Sequence, residues 1–267
     1  SSDFEKCEAD LAEAGAALDA VAGCDIAFHC VGLPAEAFSR HLEISASVLE
    51  GCAATETLPF LISSFWSYGP AGERPVSEDR EPSPRSDKEK IRRRQEEMFL
   101  AQEGVVAILP DFFGPRADVG FGNSALEAID SGETANWIGD LDRKRELIYV
   151  PDAGYPLVEL ADSQKSPGAR WNLGGSGAIT PRRFLELGAE YSGREMKVRT
   201  AGPVLLALLS LFNRQIRGIR DLYPLYKSPP ILDDSRLRNL IGDYRVTPYQ
   251  EAVPRTIDWI RSRSKPE

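Results

Sequence analysis

The stretch that decides the fold is Cys24-Asp25-Ile26-Ala27-Phe28-His29-Cys30-Val31-Gly32, a short apolar run that Gly23 precedes and Leu33-Pro34 follows. Strands that helices cover on both faces have this composition, because neither face meets water and no polar alternation is needed. We therefore predict a strand here that is buried on both faces within a parallel sheet.

Two further apolar runs follow at the spacing of alternating strands and helices. Residues 58–64 come after a predicted helix over about residues 38–54, and residues 105–110 come after a charged helix over about residues 86–102. This alternation predicts an open parallel α/β sheet, in which ligands bind beyond the carboxyl ends of the strands. Those ends are Cys30-Val31-Gly32, Ser63-Ser64 and Pro110-Asp111-Phe112-Phe113-Gly114.

Composition excludes several classes of function. The 267 residues carry a formal net charge of −9 at pH 7, which argues against nucleic acid or an anionic membrane as a partner. Four cysteines without a Cys-x-x-Cys pair, together with only two histidines, argue against a metal site and indicate a reducing, cytoplasmic setting. No apolar stretch reaches the ~20 residues that span a bilayer.

The alternation extends to both sides of the first three strands. Residues 5–11 are predicted to form a short strand that ends at Asp10-Leu11, followed by an alanine-rich helix over about residues 13–22. Further strands are predicted near residues 134–139, 146–152 and 171–175. A helix is predicted to begin at Thr180-Pro181, where a threonine cap precedes proline at the first helical position.

Several motifs occur together in an order and spacing that point to one family. They are Asp10-Leu11, residues 23–32, Ser63-Ser64-Phe65-Trp66-Ser67-Tyr68-Gly69-Pro70, Pro110-Asp111-Phe112-Phe113-Gly114-Pro115, Tyr149-Val150-Pro151-Asp152, Trp171-Asn172-Leu173-Gly174 and residues 233–259. In these motifs the chain resembles the extended short-chain dehydrogenases/reductases, also called NAD-dependent epimerases/dehydratases. The resemblance covers nearly the whole chain.

The resemblance implies an architecture and an activity. A Rossmann-type doubly wound parallel sheet would comprise residues 1–115 and 146–176, and a smaller, mainly helical substrate-binding domain would comprise residues 116–145 and 177–267. The implied activity is NAD- or NADP-dependent oxidoreductase or epimerase chemistry on a carbonyl, hydroxyl or sugar-like small molecule. A homodimer through the helices near residues 38–54 and 86–102 is also implied. The alternative is an atypical protein that binds a dinucleotide or a partner without turnover.

The family's cofactor contacts map onto the strand ends. Asp10 and Leu11 would lie by the adenine, Cys30, Val31 and Gly32 by the adenosine ribose, and Pro110 and Phe112 near the nicotinamide. Two of these groups also have a simpler interpretation, as a turn residue for Asp10 and as anchoring aromatic core for the loop after Pro110. Tyr223, Tyr226 and the apolar residues 204–212 would wall a substrate pocket or form core.

The amino end departs from the family. The family opens with a strand, a Gly-x-x-Gly-x-x-Gly turn and a helix whose N-terminus binds the dinucleotide pyrophosphate. These residues are not in the sequence, whose start corresponds to the family's third strand. We expect the sequence to be incomplete relative to the natural protein, with completion by a partner as the alternative.

The catalytic residues are the second departure. The family uses a serine or threonine with a Tyr-x-x-x-Lys helix, and Ser64 matches the serine. The tyrosine position falls on Lys88 and the lysine position on Arg92. The Arg92 guanidinium is always charged and has a forked set of N–H donors, so it could still hold a ribose or a phosphate. Lys88 can transfer a proton only if its pKa is lowered. The alternative is that both residues lie on a solvated helix face.

Overall fold

The structure is a computed structural model that describes residues 5–13, 15–72, 74–117, 120–163, 165–202 and 214–263, without the side chains of residues 35, 201 and 214–219. The strands are β1 (Ile26–His29), β2 (Leu58–Ser64), β3 (Pro75–Val76), β4 (Val105–Leu109), β5 (Asp111–Phe113), β6 (Ala135–Ile138), β7 (Arg145–Tyr149), β8 (Arg170–Asn172), β9 (Ala178–Ile179), β10 (Val198–Ala201) and β11 (Ile231–Leu232). The α-helices are α1 (Ala16–Val21), α2 (His41–Thr55), α3 (Asp87–Leu100), α4 (Phe121–Asp130), α5 (Val150–Asp162), α6 (Pro181–Ser192), α7 (Arg214–Lys227), α8 (Ser235–Ile241) and α9 (Tyr249–Arg263). Two 3₁₀ helices cover Ala35–Arg40 and Phe65–Tyr68.

The main sheet confirms the predicted open parallel arrangement. Its strand order is β1-β2-β4-β8, and every pair in it is parallel. Phe28 pairs with Phe60 and Ser63 pairs with Ile108, so β1, β2 and β4 end at one edge of the sheet. All five residues of β4 are buried, because helices cover both faces of this central strand.

Two details of the predicted amino-terminal region are wrong. Residues 5–10 form no strand, because the Asp10 carboxylate accepts the Ala12 N–H at 3.0 Å and the Asp10 carbonyl accepts the Glu13 N–H at 2.9 Å, which makes a turn. Strand β1 is not buried on both faces, since Phe28 is 42% exposed. Within the described residues β1 pairs only with β2 and is therefore an edge strand.

Helices cover both faces of the main sheet. On one face, Leu61 and Ile108 contact a cluster that includes Phe99 of α3 and residues of the 3₁₀ helix Phe65–Tyr68. On the other face, Phe60 and Ala107 join a cluster formed with α5 and α8. A core on each face is what a doubly wound sheet requires.

A second lobe is built around the sheet β5-β7-β9 and helices α4, α6 and α9. Its core contains Phe113, which stacks on Tyr249 at 5.7 Å and meets Phe184 edge-on at 5.2 Å. The Tyr249 hydroxyl donates to the Gly177 carbonyl at 2.8 Å and accepts the Leu147 N–H at 3.0 Å. This buried hydroxyl therefore fixes α9 against β7.

Two side-chain contacts fix the later part of the chain, and the first of them confirms a predicted helix cap. Thr180 caps α6, since its hydroxyl accepts the Arg183 N–H at 3.2 Å. Asp152 is an architectural acid whose carboxylate accepts the Thr247 N–H at 2.6 Å and the Thr247 hydroxyl at 2.8 Å. It thereby joins the start of α5 to the segment before α9.

Within the described ranges, no helix combines the length and the apolar character that crossing a membrane would require. The apolar residues 204–212, which the sequence suggested as a pocket wall or core, lie outside the described residues.

Candidate active site

Ser64 is the last residue of β2 and lies at the carboxyl edge of the main sheet. Its hydroxyl oxygen is buried and makes no hydrogen bond within the described residues. The neighbouring Ser63 points into the structure, where its hydroxyl donates to Glu96 Oε1 at 2.6 Å. Since the two serines face opposite sides of the strand, Ser64 is the one whose hydroxyl is left for a ligand.

The start of α3 is fixed by a reciprocal capping arrangement. The Glu89 N–H donates to the Ser86 hydroxyl at 3.3 Å, and the Ser86 hydroxyl donates to Glu89 Oε1 at 3.0 Å. Glu89 Oε2 also accepts the Arg85 N–H at 2.7 Å. This cap sets the first turn of the helix, and residues four apart then share one face. Lys88 and Arg92 are such a pair.

Lys88 and Arg92 both lie over the ring of Phe38. The Lys88 ammonium is 5.4 Å and the Arg92 guanidinium 5.0 Å from the ring centroid, within cation–π distance. Phe38 is buried in the 3₁₀ helix that follows β1, and it stacks on Trp66 at 5.9 Å. The structure thus joins α3 to the segments that follow β1 and β2.

A chain of polar side chains runs from Arg92 into the core between α2, α3 and β1. Arg92 donates to the Gln95 side-chain oxygen at 2.9 Å, and the Gln95 amide donates to the Ser45 hydroxyl at 2.9 Å. The Ser45 hydroxyl lies 3.4 Å from His29 Nε2. His29 is therefore a buried core histidine with a polar neighbour. His41 is fully buried on α2, and its two ring nitrogens have no partner among the described residues.

Burial shifts the titration of these groups. Desolvation, with Arg92 as a second cause, lowers the pKa of His29 to about 4 and that of His41 to about 3. Burial lowers the pKa of Arg92 to about 10, against the opposing charge of Glu96. Both imidazoles are therefore neutral at pH 7, and Arg92 stays charged.

Lys88 is half-buried beside these groups. Burial lowers the pKa of its ammonium, while the charges of Asp221 and Glu36 act in the opposite direction. The shift has the sign that proton transfer by a lysine requires.

A second polar cluster lies beside the first, and among its members the sequence suggested a role only for Tyr226, as pocket wall or core. Tyr226 donates to Asp111 Oδ1 at 3.2 Å, and burial raises the pKa of Asp111 to about 6. The buried Arg145 lies 5.4 Å from the Tyr226 ring and donates to the Ile138 carbonyl at 3.2 Å. The available signal was an arginine at the start of the otherwise apolar strand β7. Phe65, next to Ser64, meets Tyr226 edge-on at 6.3 Å and connects the two clusters.

The predicted cofactor residues are spread along the sheet edge. Asp10 is exposed in a turn, 3.8 Å from Arg40, and Leu11 packs against the core between α1 and α2. Pro110 is buried between β4 and β5, and Phe112 packs on the core shared with α5. Cys30, Val31 and Gly32 follow β1, and a Cβ atom built on Gly32 would meet nothing within 4 Å. Their roles toward a cofactor stay predictions.

Comparison with solved structures identifies the fold. UDP-glucuronic acid 4-epimerase from Bacillus cereus in complex with NAD aligns with a TM-score of 0.72 at 17% identity, covering 96% of this chain and 79% of that one. The chain has the NAD-dependent epimerase/dehydratase fold. No protein-family model matches the sequence, and no curated protein matches it.

Two further structures support the epimerase/dehydratase fold. RMD from Pseudomonas aeruginosa complexed with NADPH aligns with a TM-score of 0.77 at 20% identity, covering 96% of this chain and 88% of that one. The dTDP-glucose 4,6-dehydratase DesIV from Streptomyces venezuelae, with NAD bound, aligns with a TM-score of 0.75 at 16% identity, covering 95% and 78%. The predicted Rossmann-type fold is therefore confirmed.

Proposed function

We propose that the protein is an NAD(P)-dependent oxidoreductase of the epimerase/dehydratase type that acts on a nucleotide sugar. The observation that supports this proposal is that Lys88 and Arg92 lie together over Phe38, on the helix that follows the strand end at Ser64, and this fold binds its ligands at such strand ends. The substrate class is supported by the names of the similar structures, a UDP-glucuronic acid epimerase and a dTDP-glucose dehydratase. Both of those structures contain NAD, and the similar structure of RMD contains NADPH.

The residues fit the nicotinamide end of such a cofactor. Ser64 Oγ and Arg92 Nε are buried without hydrogen-bond partners among the described residues, so polar ligand atoms would satisfy both. Arg92 would hold the ribose, and Pro110 and Phe112 would flank the nicotinamide. At the other end, the open backbone at Gly32 would receive the adenosine ribose. Asp10, Leu11, Cys30 and Val31 complete the proposed cofactor contacts.

The chain's own residues would manage the proton. The cofactor, when bound, supplies hydride transfer. Ser64 would orient the substrate oxygen, and Lys88 would donate a proton to that oxygen or accept one from it. Burial lowers the Lys88 pKa in the direction that this role needs. The Phe38 ring excludes water from the side of the ammonium that it covers.

The remaining features follow the same proposal. Residues 1–115 and 146–176 would form the dinucleotide-binding domain, and residues 116–145 and 177–267 the substrate-binding domain. The thiols of Cys7, Cys24, Cys30 and Cys52 are all free, which suits a cytoplasmic enzyme.

A homodimer is proposed through α2 and α3. The outer face of α3 carries Lys90 and Arg94, both exposed. Because such an interface is partly ionic, we expect the dimer in sedimentation velocity at low salt and its weakening at high salt. A protein that sediments as a monomer at low salt contradicts this.

In the full-length enzyme, Lys88→Ala is expected to lower kcat at least about tenfold while the affinity for the nicotinamide cofactor stays nearly unchanged, since acid–base help contributes ~10²–10⁴ in rate. Arg92→Ala is expected to weaken cofactor binding instead. The measurements are product formation from UDP-glucuronic acid, UDP-glucose and dTDP-glucose by chromatography, and cofactor titration by fluorescence.

Lys90→Ala is the matched control, because Lys90 lies two residues away and pairs with Asp87 at 3.7 Å. It should turn over like the parent. A Lys88→Ala variant with parental kcat would remove Lys88 from the chemistry. Binding of cofactor and sugar nucleotide without any conversion by the wild type would support the non-catalytic alternative.

A further inference from the structure

The five basic residues of α3 fall into two groups. Three of them form ion pairs with acids of the same helix, namely Lys90 with Asp87 at 3.7 Å, Arg93 with Glu97 at 3.0 Å and Arg94 with Glu97 at 3.3 Å. Lys88 and Arg92 form no ion pair among the residues that the structure describes. The helix therefore neutralises its cations on every side except the one that faces Phe38.

The arrangement of Lys88 and Arg92 is costly without a ligand. Like charges four residues apart on a helix repel each other, and both cations are drawn together over one aromatic ring. Glu36 and Asp221 favour the charged form of Lys88, and Glu96 favours that of Arg92, all from beyond ion-pair distance. Residues 203–219, whose side chains are not described, contain no Asp or Glu that would neutralise the pair.

The surroundings strengthen attraction to an anion. Arg92 Nε is buried without a hydrogen-bond partner in the described part of the chain, and so is the hydroxyl of Ser64 at the neighbouring strand end. Charges interact more strongly in such a low-dielectric setting than in water. A guanidinium presents two parallel donors that match a carboxylate, and an ammonium adds three more donors.

We propose that Lys88 and Arg92 together bind a carboxylate that the substrate carries next to its reacting carbon. The preferred substrate is then a nucleotide-linked uronic acid and not the corresponding neutral hexose. This inference rests on the proposed function, because it concerns the same site. With three donors, the Lys88 ammonium contacts the carboxylate and the reacting oxygen at the same time. Arg92 has five N–H donors, of which one binds Gln95, so it would serve both the carboxylate and the cofactor ribose.

The test compares three ligands that differ in one group each. Calorimetric titrations at low salt use UDP-glucuronic acid, UDP-glucose and UDP with the wild-type protein. We expect the acid to bind at least about tenfold more tightly than UDP-glucose, as a desolvated charge-assisted contact predicts. Lys88→Ala and Arg92→Ala should bring the two affinities close together and leave UDP binding unchanged. Lys90→Ala and Arg94→Ala should keep the preference.

Each outcome has a defined meaning. Equal affinity of the wild type for the two sugars, an unchanged preference in both Lys88→Ala and Arg92→Ala, or no binding of either sugar overturns the carboxylate site. Titrations with NADH and NADPH, run in parallel, distinguish failure of the carboxylate site from failure of the proposed function. If the protein binds cofactor but shows no preference for the acid, the result counts against the carboxylate site alone. If Arg92→Ala does not fold, Arg92→Gln and the half-buried Lys88→Ala still decide the question.

Discussion

His41→Leu is expected to be no less stable than the wild type at pH 7.5 and about 2 kcal/mol more stable relative to it at pH 5. At the higher pH the change removes a buried imidazole that makes no hydrogen bond in the described residues, and an apolar side chain costs little there. The measurement is urea unfolding of both proteins at several pH values between these limits.

The gain at pH 5 follows from proton linkage. Burial lowers the pKa of His41 to about 3, so the folded protein cannot take up the proton that an unfolded histidine binds below its ordinary value of 6.5. As far as His41 is concerned, the wild type therefore has its full free energy of unfolding above pH 6.5, and this free energy falls as the pH drops from 6.5 toward 3. At pH 5, which lies about 1.5 pH units below the ordinary value, the loss corresponds to about 2 kcal/mol.

Other groups titrate in the same range, so the comparison between variants is decisive. Burial raises the pKa of Asp111 to about 6 and that of Glu146 to about 7, and both therefore add stability as the pH falls. They act equally in both proteins and cancel in the difference. His29→Leu also loses the contact with Ser45, so it should be less stable than the wild type at pH 7.5. Its stability relative to the wild type should nevertheless rise on acidification by the same amount as that of His41→Leu. Parallel pH profiles for wild type and His41→Leu would mean that the imidazole titrates normally.

Gly69→Ala should destabilise the protein by about 4 kcal/mol, because two costs combine at this position. Gly69 has a φ of 68°, a conformation that a side chain disfavours. A Cβ atom there would also lie 2.1 Å from the Ser83 carbonyl oxygen, which belongs to backbone that cannot simply rotate away. The Ser83 N–H in turn donates to the Tyr68 carbonyl at 3.1 Å, so the two segments would have to separate.

Gly72→Ala separates the two costs. Gly72 has a φ of 83°, but a Cβ atom added to it would meet nothing within 4 Å. Only the conformational cost of about 1 to 2 kcal/mol applies, so thermal or urea unfolding should rank the two variants clearly. Equal losses in both would show that the Ser83 segment moves aside freely and that the backbone conformation of Gly69 accounts for the whole cost.

The main sheet could be predicted because each of its strands is recognisable from a short stretch of sequence. Residues 58–64 and 105–109 are apolar runs of strand length between helices, and both become parallel neighbours. Phe28 could not be recognised as exposed, since whether an apolar strand lies at the centre or the edge of a sheet depends on which partners it meets. Residues 5–11 were misjudged because the side chain of Asp10 offers a local hydrogen bond that competes with pairing.

The site was predicted only as far as its motifs reach. Lys88 and Arg92 could be placed on one helix face from their spacing, but their common contact, Phe38, lies on a segment that the sequence linked only to a dimer interface. Asp111, Arg145 and Tyr226 meet from three distant parts of the chain, and no local pattern records such a meeting. The part of the site that could not be predicted is therefore the set of contacts between charged groups far apart in the sequence.

The order of strands in the main sheet has a consequence for how the protein forms during synthesis. Strand β8 completes the sheet beside β4, yet the ribosome makes β5, β6 and β7 of the second lobe before it. Later still, β11 pairs with β3 and α8 enters the core beneath the main sheet. Each lobe therefore depends on a helix that is made late, α8 for the core of the main sheet and α9 for the core of the second lobe, and neither core is complete before that helix is present.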